Sequence, residues 1–329
     1  MPEGDSLVRL AQRLRPVVVG TLLSSSDFRV PALATTDLAG AQMSAVTTRG
    51  KYLLLHLDLP SSTAVLLSHL GMDGSWQLQH LDDADGPTHP QRQQHRNRPR
   101  RFNDPAGTTR AVLTAPTFRL VGVSLKEVHL LTPAHTERRL AFLGPDLLDP
   151  EWGAEHLQTA LTRMRAQPQR PIGTALLDQR NIAGIGNIYR CETLLLTRID
   201  PRTPVGDLDD DAVSGLAGVL ELARALMLAN IDPDPPGSPC AAGTPRSASS
   251  RRTTTGVTPD PHAPFGVRVL DPQGPAARRL LLRGTAPYWV YGREREGCLR
   301  CGGPVRREDW GDPGAEERVL YWCPRCQSR

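Results

Sequence analysis

The spacing of apolar residues divides the chain into contrasting stretches. Near the amino end Leu7, Leu10, Ala11 and Leu14 recur at helical intervals and Pro16 follows, which predicts a short amphipathic helix that stops at the proline. Residues 46–59, 63–79 and 110–131 are rich in β-branched and apolar positions with Gly and Pro between them, the pattern of an antiparallel sheet domain. A polar run at residues 82–109 interrupts that domain. "LGPDLLDP", Leu143 to Pro150, reads as a linker, and beyond it residues 152–164, 174–177, 186–196 and 209–229 carry helical periodicity with few β-branched runs. The second region is therefore mainly helical. Residues 232–266 are dense in Pro, Ser, Gly and Thr, hold too little apolar surface to fold alone, and are expected to form a mobile loop. No internal repeat emerges.

A chain of 329 residues has room for about two domains. It lacks any run of roughly 18 apolar residues, which excludes a membrane span. Glu3 and Asp5 come before any apolar run, unlike a secretory signal, so a soluble cytoplasmic protein is expected. The net charge is only +4, but residues 276–329 hold eleven Arg against seven acidic residues, a surplus equal to the whole net charge. The basic carboxyl end is thus the favoured polyanion contact, although metal-bound thiolates there would offset part of the charge. Lys51 and Lys126 are the only lysines among 39 basic residues. An arginine-favouring composition accounts for most of that, yet a retained lysine marks a place where a compact ammonium able to deprotonate is useful.

Four of six cysteines fall in the last 32 residues, as "CLRCGGP" and "YWCPRCQ". Cys298, Cys301, Cys323 and Cys326 thus make two C-x-x-C knuckles 21 residues apart, a spacing that favours one structural Zn2+ with four thiolates over free thiols or a redox pair. Between the knuckles "EERVLYW" alternates like a hairpin strand with Arg318 near its turn; alone, such an arginine is a solvated side chain. Cys191 and Cys240 have no partner motif.

In "LLDQRNIAGIGNIYR", Leu176 to Arg190, Gly184 and Gly186 permit a tight turn and Asn187 suits a helix cap. Such a turn offers backbone N–H groups to phosphate, or is a plain interhelical turn. A dinucleotide fingerprint is excluded, since a helix and not a strand precedes it. The opening "MPEGD" holds a further possibility. Removal of Met1 would expose Pro2 as a secondary amine with a pKa near 8, able to attack an aldehydic carbon and form an iminium that eases β-elimination, with Glu3 beside it to move protons. Most Met-Pro termini do nothing of the kind.

Together, "MPEGD", "RGKYLLLHL", "SHLGMDGSW", "LGPDLLDP", "LLDQRNIAGIGNIYR" and the terminal double C-x-x-C stand in the order found in the formamidopyrimidine-DNA glycosylase and endonuclease VIII family. The chain resembles that family over nearly its whole length, and most resembles the actinobacterial endonuclease VIII branch, because it starts "PEGD" and not "PELPE".

The resemblance implies an α+β multidomain fold: an N-terminal antiparallel β-sandwich with an N-terminal helix (1–133), a helical helix-two-turn-helix domain (134–232), the loop and a connector (233–285), and a C-terminal zinc finger (286–329), with DNA crossing between domains. It implies a monomeric bacterial DNA glycosylase and AP lyase of base excision repair, cytoplasmic and on the nucleoid when bound, that acts on damaged double-stranded DNA. In that role Pro2 attacks C1′, Glu3 opens the sugar and carries protons, and β,δ-elimination cuts the strand. Lys51 matches the family's lysine at the substrate backbone. Met72 matches the wedge that fills the space left by an extruded base, its alternative being a core methionine. Gly186 and Asn187 match a phosphate-binding turn, and Arg318 the zinc-finger arginine that grips phosphate at the lesion. Oxidised pyrimidines are the expected lesions; oxidised purines, or a non-catalytic zinc-dependent DNA-binding protein, are the rivals. "RPRRFND" at Arg98 to Asp104 only loosely matches the purine branch's second wedge loop, and residues 232–266 replace the lesion-capping region.

Overall fold

A computed structural model describes residues 2–81, 107–209, 215–231, 258–259, 267–268, 288–313 and 317–328. The expected loop at 232–266, apart from 258–259, the "RPRRFND" stretch, most of the polar run and Cys240 lie outside the described residues. The chain divides into two compact units: Leu10–Thr48 with Tyr52–Arg139, and Met1–Arg9 with Arg49–Lys51 and Leu140–Arg329.

The opening helix α1 spans Gly4–Val18 and contains Pro16, so the proline does not end it. A proline near a helix end forfeits only one backbone bond, and the last turn is still held by the Val19 N–H donating to the Arg15 carbonyl at 3.2 Å.

The first unit is an antiparallel sandwich of two four-stranded sheets. One sheet runs in the order β1 (Ser25–Phe28), β6 (Thr109–Thr114), β7 (Phe118–Val123), β5 (Ser75–His80); the other runs β2 (Gln42–Arg49), β3 (Tyr52–Leu59), β4 (Ser62–His69), β8 (Glu127–Leu131). Alternation carries β6, where Thr109, Ala111 and Leu113 are buried and the residues between them are partly exposed, as expected of a strand with one face on a core. β1 has no such signal, being four residues of which three are polar. Inside the core the Trp76 indole N–H of β5 donates to the Ser68 hydroxyl of β4 at 3.0 Å, joining the two sheets.

Helix α2 (Pro133–Leu140) belongs to the first unit up to Arg139; in the second unit α3 (Ala154–Arg165), α4 (Ile172–Ala175), α5 (Asn187–Leu196) and α6 (Leu216–Ala229) follow in chain order. A short antiparallel pair, β9 (Thr258–Pro259) with β10 (Val267–Arg268), precedes the hairpin of β11 (Arg306–Trp310) and β12 (Arg318–Trp322). Trp289, Val290, Cys298, Val305, Leu320 and Cys323 belong to the same buried cluster as Leu194, Leu195, Leu220 and Met227. The cysteine-bearing end therefore shares the helices' core. Among the described residues no helix is long and apolar enough to cross a membrane.

Removing the Ser68 hydroxyl leaves a buried indole N–H without its acceptor. Ser68→Ala should destabilise the sandwich by about 1–3 kcal/mol, read as a lower urea midpoint by tryptophan fluorescence; an unchanged midpoint would show that this bond adds nothing.

Candidate active site

A helix start leaves its first backbone N–H groups without intrahelical partners. At α5 the preceding residue, Gly186, is extended and supplies no side-chain cap. The vacancy is filled from the other end of the chain. The Glu3 carboxylate, only 2 % exposed, accepts the Gly186 N–H on Oε2 and the Ile188 N–H on Oε1, both at 2.7 Å. The Gly4 N–H donates to the Gly184 carbonyl at 3.0 Å beside this pair. A Cβ at position 186 would lie 2.4 Å from Glu3 Cδ, so only glycine admits the carboxylate. The phosphate-binding amides expected at Gly186 are therefore occupied by the protein's own anion. Asn187 is the first residue of α5 and not its cap.

Pro2, half-buried, precedes Glu3 directly. Burial pushes the Glu3 carboxyl up to about 7; the Lys51 ammonium and the Ile188 and Gly186 amides oppose that rise, and the Asp5 carboxylate adds to it. Lys51 sits on the turn Arg49–Lys51 within the same unit. Loss of hydration brings its ammonium down to about 8, opposed by Glu3 and reinforced by the Arg318 guanidinium. Lys51 thus feels the charges of both Glu3 and Arg318. An acid near 7 beside an amine near 8 can exchange protons at neutral pH.

The Lys51 turn is held by Asp146. Its Oδ2 accepts the Gly50 N–H at 2.6 Å and its Oδ1 the Leu148 N–H at 2.9 Å, while Gly50 takes a positive φ of 57° that glycine adopts without strain. "LGPDLLDP" is thus more than a linker. Below Glu3, the buried Asp5 accepts the Tyr189 hydroxyl at 2.9 Å and pairs with Arg9 at 3.3 Å. Arg9 also donates to the Asn230 carbonyl at 2.7 Å, and Asn230 Nδ2 donates to the Tyr189 oxygen at 2.6 Å.

α5 also carries the cysteine-rich end. The Asn187 amide donates to the Val319 carbonyl at 2.7 Å, and Arg190 donates to the same carbonyl at 3.0 Å. Val319 follows Arg318, which opens β12 opposite Trp310, next to the hairpin turn as expected. Glu192 is buried on α5, and its carboxylate accepts the N–H groups of Trp289, Val290 and Tyr291 at 2.7, 2.9 and 3.0 Å.

The sulfurs of Cys298, Cys301, Cys323 and Cys326 lie within 4.8 Å of one another, and the Cys301 and Cys323 sulfurs are 3.5 Å apart. A tetrahedral Zn–S site of about 2.3 Å bonds spaces its sulfurs by about 3.8 Å, so these four residues can hold one metal ion. The Gly303 N–H donates to Cys301 Sγ at 3.3 Å, support of the kind that orients a metal ligand. Burial pushes the Cys298 thiol up to about 11; a cation would reverse that preference.

Met72 belongs to the sandwich unit and is 57 % exposed, which removes the core-methionine alternative. Asp5, Asp146, Tyr189, Arg190 and Glu192 escaped the sequence reading. Their one visible sign is charge where an apolar pattern should run: "YRCETLLL" places Arg190 and Glu192 in a helix otherwise packed on a core.

The chain matches the family profile Formamidopyrimidine-DNA glycosylase N-terminal domain over residues 1–111 and the Formamidopyrimidine-DNA glycosylase H2TH domain over residues 143–237. It is 38 % identical over 328 residues to the probable endonuclease 8 2 of Streptomyces coelicolor, covering 100 % of this chain and 94 % of that protein. The chain belongs to the formamidopyrimidine-DNA glycosylase family. A second family relative is the DNA-(apurinic or apyrimidinic site) lyase Nei2 of Mycolicibacterium smegmatis, 33 % identical with 100 % and 99 % of the two chains covered. The fold is that of the Lactococcus lactis formamidopyrimidine-DNA glycosylase solved non-covalently bound to DNA with an AP site, with a TM-score of 0.65 at 18 % identity and 100 % of both chains covered.

Glu3 makes stability pH-dependent in a definite direction. A carboxyl raised from 4.5 to about 7 keeps its proton in the folded protein after the unfolded chain has lost it, so stability falls between those pH values, by on the order of 3 kcal/mol. Urea denaturation at pH 4.5 and pH 7.5 should show wild type losing that much relative to Glu3→Gln; parallel losses would contradict the raised value.

Proposed function

We propose that this DNA glycosylase and AP lyase of base excision repair removes oxidised pyrimidines from damaged double-stranded DNA and cuts the strand by β,δ-elimination through a Pro2 Schiff base. The observation that carries the proposal is the Glu3 carboxyl: it adjoins Pro2, is fixed by two amides, and sits near 7 with Lys51 in electrostatic reach, Lys51 in turn feeling the charge of Arg318. In that setting, with Met1 removed, the neutral Pro2 nitrogen attacks C1′ as the damaged base departs. Glu3 gives its proton to the ring oxygen, the sugar opens, and the iminium forms. Loss of a C2′ proton expels the 3′ phosphate, a second elimination with loss of the C4′ proton expels the 5′ phosphate, and water hydrolyses the iminium, releasing the unsaturated sugar remnant and restoring the amine.

Lys51 and Arg318 serve as cations for the phosphates around the lesion. Gly186 shapes the turn that receives Glu3, and Met72 wedges into the stack where the base is extruded. Cys298, Cys301, Cys323 and Cys326 hold one structural Zn2+, which leaves no open coordination position for chemistry and stiffens the hairpin that bears Arg318. The protein works as a monomer in the bacterial cytoplasm. Likeness to the endonuclease VIII branch supports pyrimidine lesions, while a match to the formamidopyrimidine-DNA glycosylase of Rhodopseudomonas palustris at 29 % identity keeps oxidised purines as the second reading.

Borohydride trapping on abasic duplex DNA tests the chemistry. Protein with a mass-confirmed proline terminus should form a covalent adduct; protein retaining Met1 should form little, and Glu3→Gln should slow base release by on the order of 100-fold or more. No wild-type adduct would leave a DNA-binding protein without catalysis. Release of 8-oxoguanine faster than thymine glycol from matched duplexes would move the enzyme to the purine branch. Cys298→Ser should lower both zinc content and DNA affinity; full affinity without zinc would remove the finger from binding.

A further inference from the structure

We infer that Asp5 is a positioning residue for the amino terminus: its buried carboxylate, gripped by Tyr189 and Arg9, pins the first turn of α1 to α5 and to the end of α6, and so holds Pro2 in place while Glu3 gains and loses its proton. The inference rests on the proposed chemistry of Pro2 and Glu3, and it assigns a task to a residue which that chemistry leaves unused.

Four residues close a ring. The Asn230 side-chain amide donates to the Tyr189 oxygen at 2.6 Å, the Tyr189 hydroxyl donates to Asp5 Oδ2 at 2.9 Å, Arg9 reaches the same Oδ2 at 3.3 Å, and Arg9 Nη1 donates to the Asn230 carbonyl at 2.7 Å. Asp5 and Arg9 lie on α1, Tyr189 on α5, and Asn230 caps the end of α6. The helix dipole favours an acid in a first turn even at the surface, but these four residues are only 2 % (Asp5), 8 % (Arg9), 4 % (Tyr189) and 4 % (Asn230) exposed. Arg9 Nε and Asn230 Oδ1 find no hydrogen bond among the described residues, and a buried ion pair seldom adds net stability over apolar packing. What the ring supplies is a fixed geometry. The need for it comes from Glu3. Its carboxylate accepts two amides at 2.7 Å, but on taking a proton one oxygen becomes a donor and the charge-assisted grip weakens. The ring and the Gly4 amide on the Gly184 carbonyl are then left to hold a chain end that would otherwise fray, and a misplacement of about 1 Å can cost about 100-fold in rate. Burial pushes the Asp5 carboxyl up, opposed by Arg9 and the Tyr189 hydroxyl, and the ion pair keeps it the charged partner. The titratable groups that share a field with Glu3 are Lys51, Asp5, Tyr189, Tyr288 and Tyr291. Asp5 is the one carboxylate among them, and its charge favours the protonated acid.

The test is single-turnover cleavage of an abasic duplex by the full chain with a mass-confirmed proline terminus, followed over a pH series, beside equilibrium binding to a duplex carrying a tetrahydrofuran abasic analogue. Tyr189→Phe removes one oxygen from the ring and should slow cleavage by about tenfold or more while affinity for the analogue is nearly unchanged. Asp5→Asn keeps an acceptor for the Tyr189 hydroxyl but removes the charge. It should slow cleavage and also move the alkaline limb of the pH profile to lower pH, because Glu3 then gives up its proton more easily. Thermal melting confirms that each variant is folded at the assay temperature; should Asp5→Asn not fold, Tyr189→Phe carries the test by itself. Wild-type rates in the folded variants would overturn the inference, and so would losses that vanish at saturating enzyme because only affinity fell, or an unmoved limb in Asp5→Asn. If the wild type itself cleaves no abasic DNA, the proposed chemistry of Pro2 and Glu3 fails, a result distinct from any given by the variants.

Discussion

Everything chemical in this protein hangs on one contact, the Glu3 carboxylate seated on the amides of Gly186 and Ile188. A helix start attracts anions, and in a protein that handles DNA a free one would hold a phosphate. Here the chain closes on itself, and the second residue after the initiator is fixed to a position more than 180 residues away. That fixes the place of Pro2 as well, since the two are neighbours. The two amides and Lys51 favour the charged carboxylate but do not outweigh its burial, so the group rests near neutrality. An exposed glutamate would be ionised and of little use as an acid at pH 7.

α5 extends that contact into a frame. Its first turn takes Glu3 on backbone amides, Asp5 through the Tyr189 hydroxyl, and Val319 through Asn187 and Arg190; one turn further, Glu192 binds three successive amides of the segment leading to the cysteines. The amino terminus, the Arg318 hairpin and the cysteine cluster are registered against ten residues of helix. Buried ionic groups of this kind seldom add net stability against apolar replacements. Their presence together at one helix end fits a site held in a required geometry at some expense of stability.

Much of this was legible in the sequence. The sheet region, the helical region and the double C-x-x-C follow from periodicity and spacing because each expresses a local rule: alternation, a 3.6-residue repeat, four ligands around one ion. β1 was missed because four mostly polar residues carry no alternation, and Pro16 was overweighted because a proline so near a helix end loses little. At Gly186 and Asn187 the sequence shows less than the structure does. Their motif correctly signals a close approach at a helix start, yet nothing local says whether the approaching group is a phosphate or Glu3. Asp146, Arg190 and Glu192 act on partners 96, 129 and 97 residues away, and no spacing rule reaches that far.

The account makes the proline nitrogen, and not a lysine, the atom that bonds to DNA, and the chain's composition makes this simple to test because Lys51 and Lys126 are its only lysines. The decisive measurement is peptide mapping by tandem mass spectrometry of the borohydride-reduced adduct with abasic DNA. The account predicts that the sugar remnant lies on the amino-terminal peptide, at the Pro2 nitrogen, with both lysine peptides unmodified. A remnant on Lys51, with the proline terminus intact and unmodified, would contradict it.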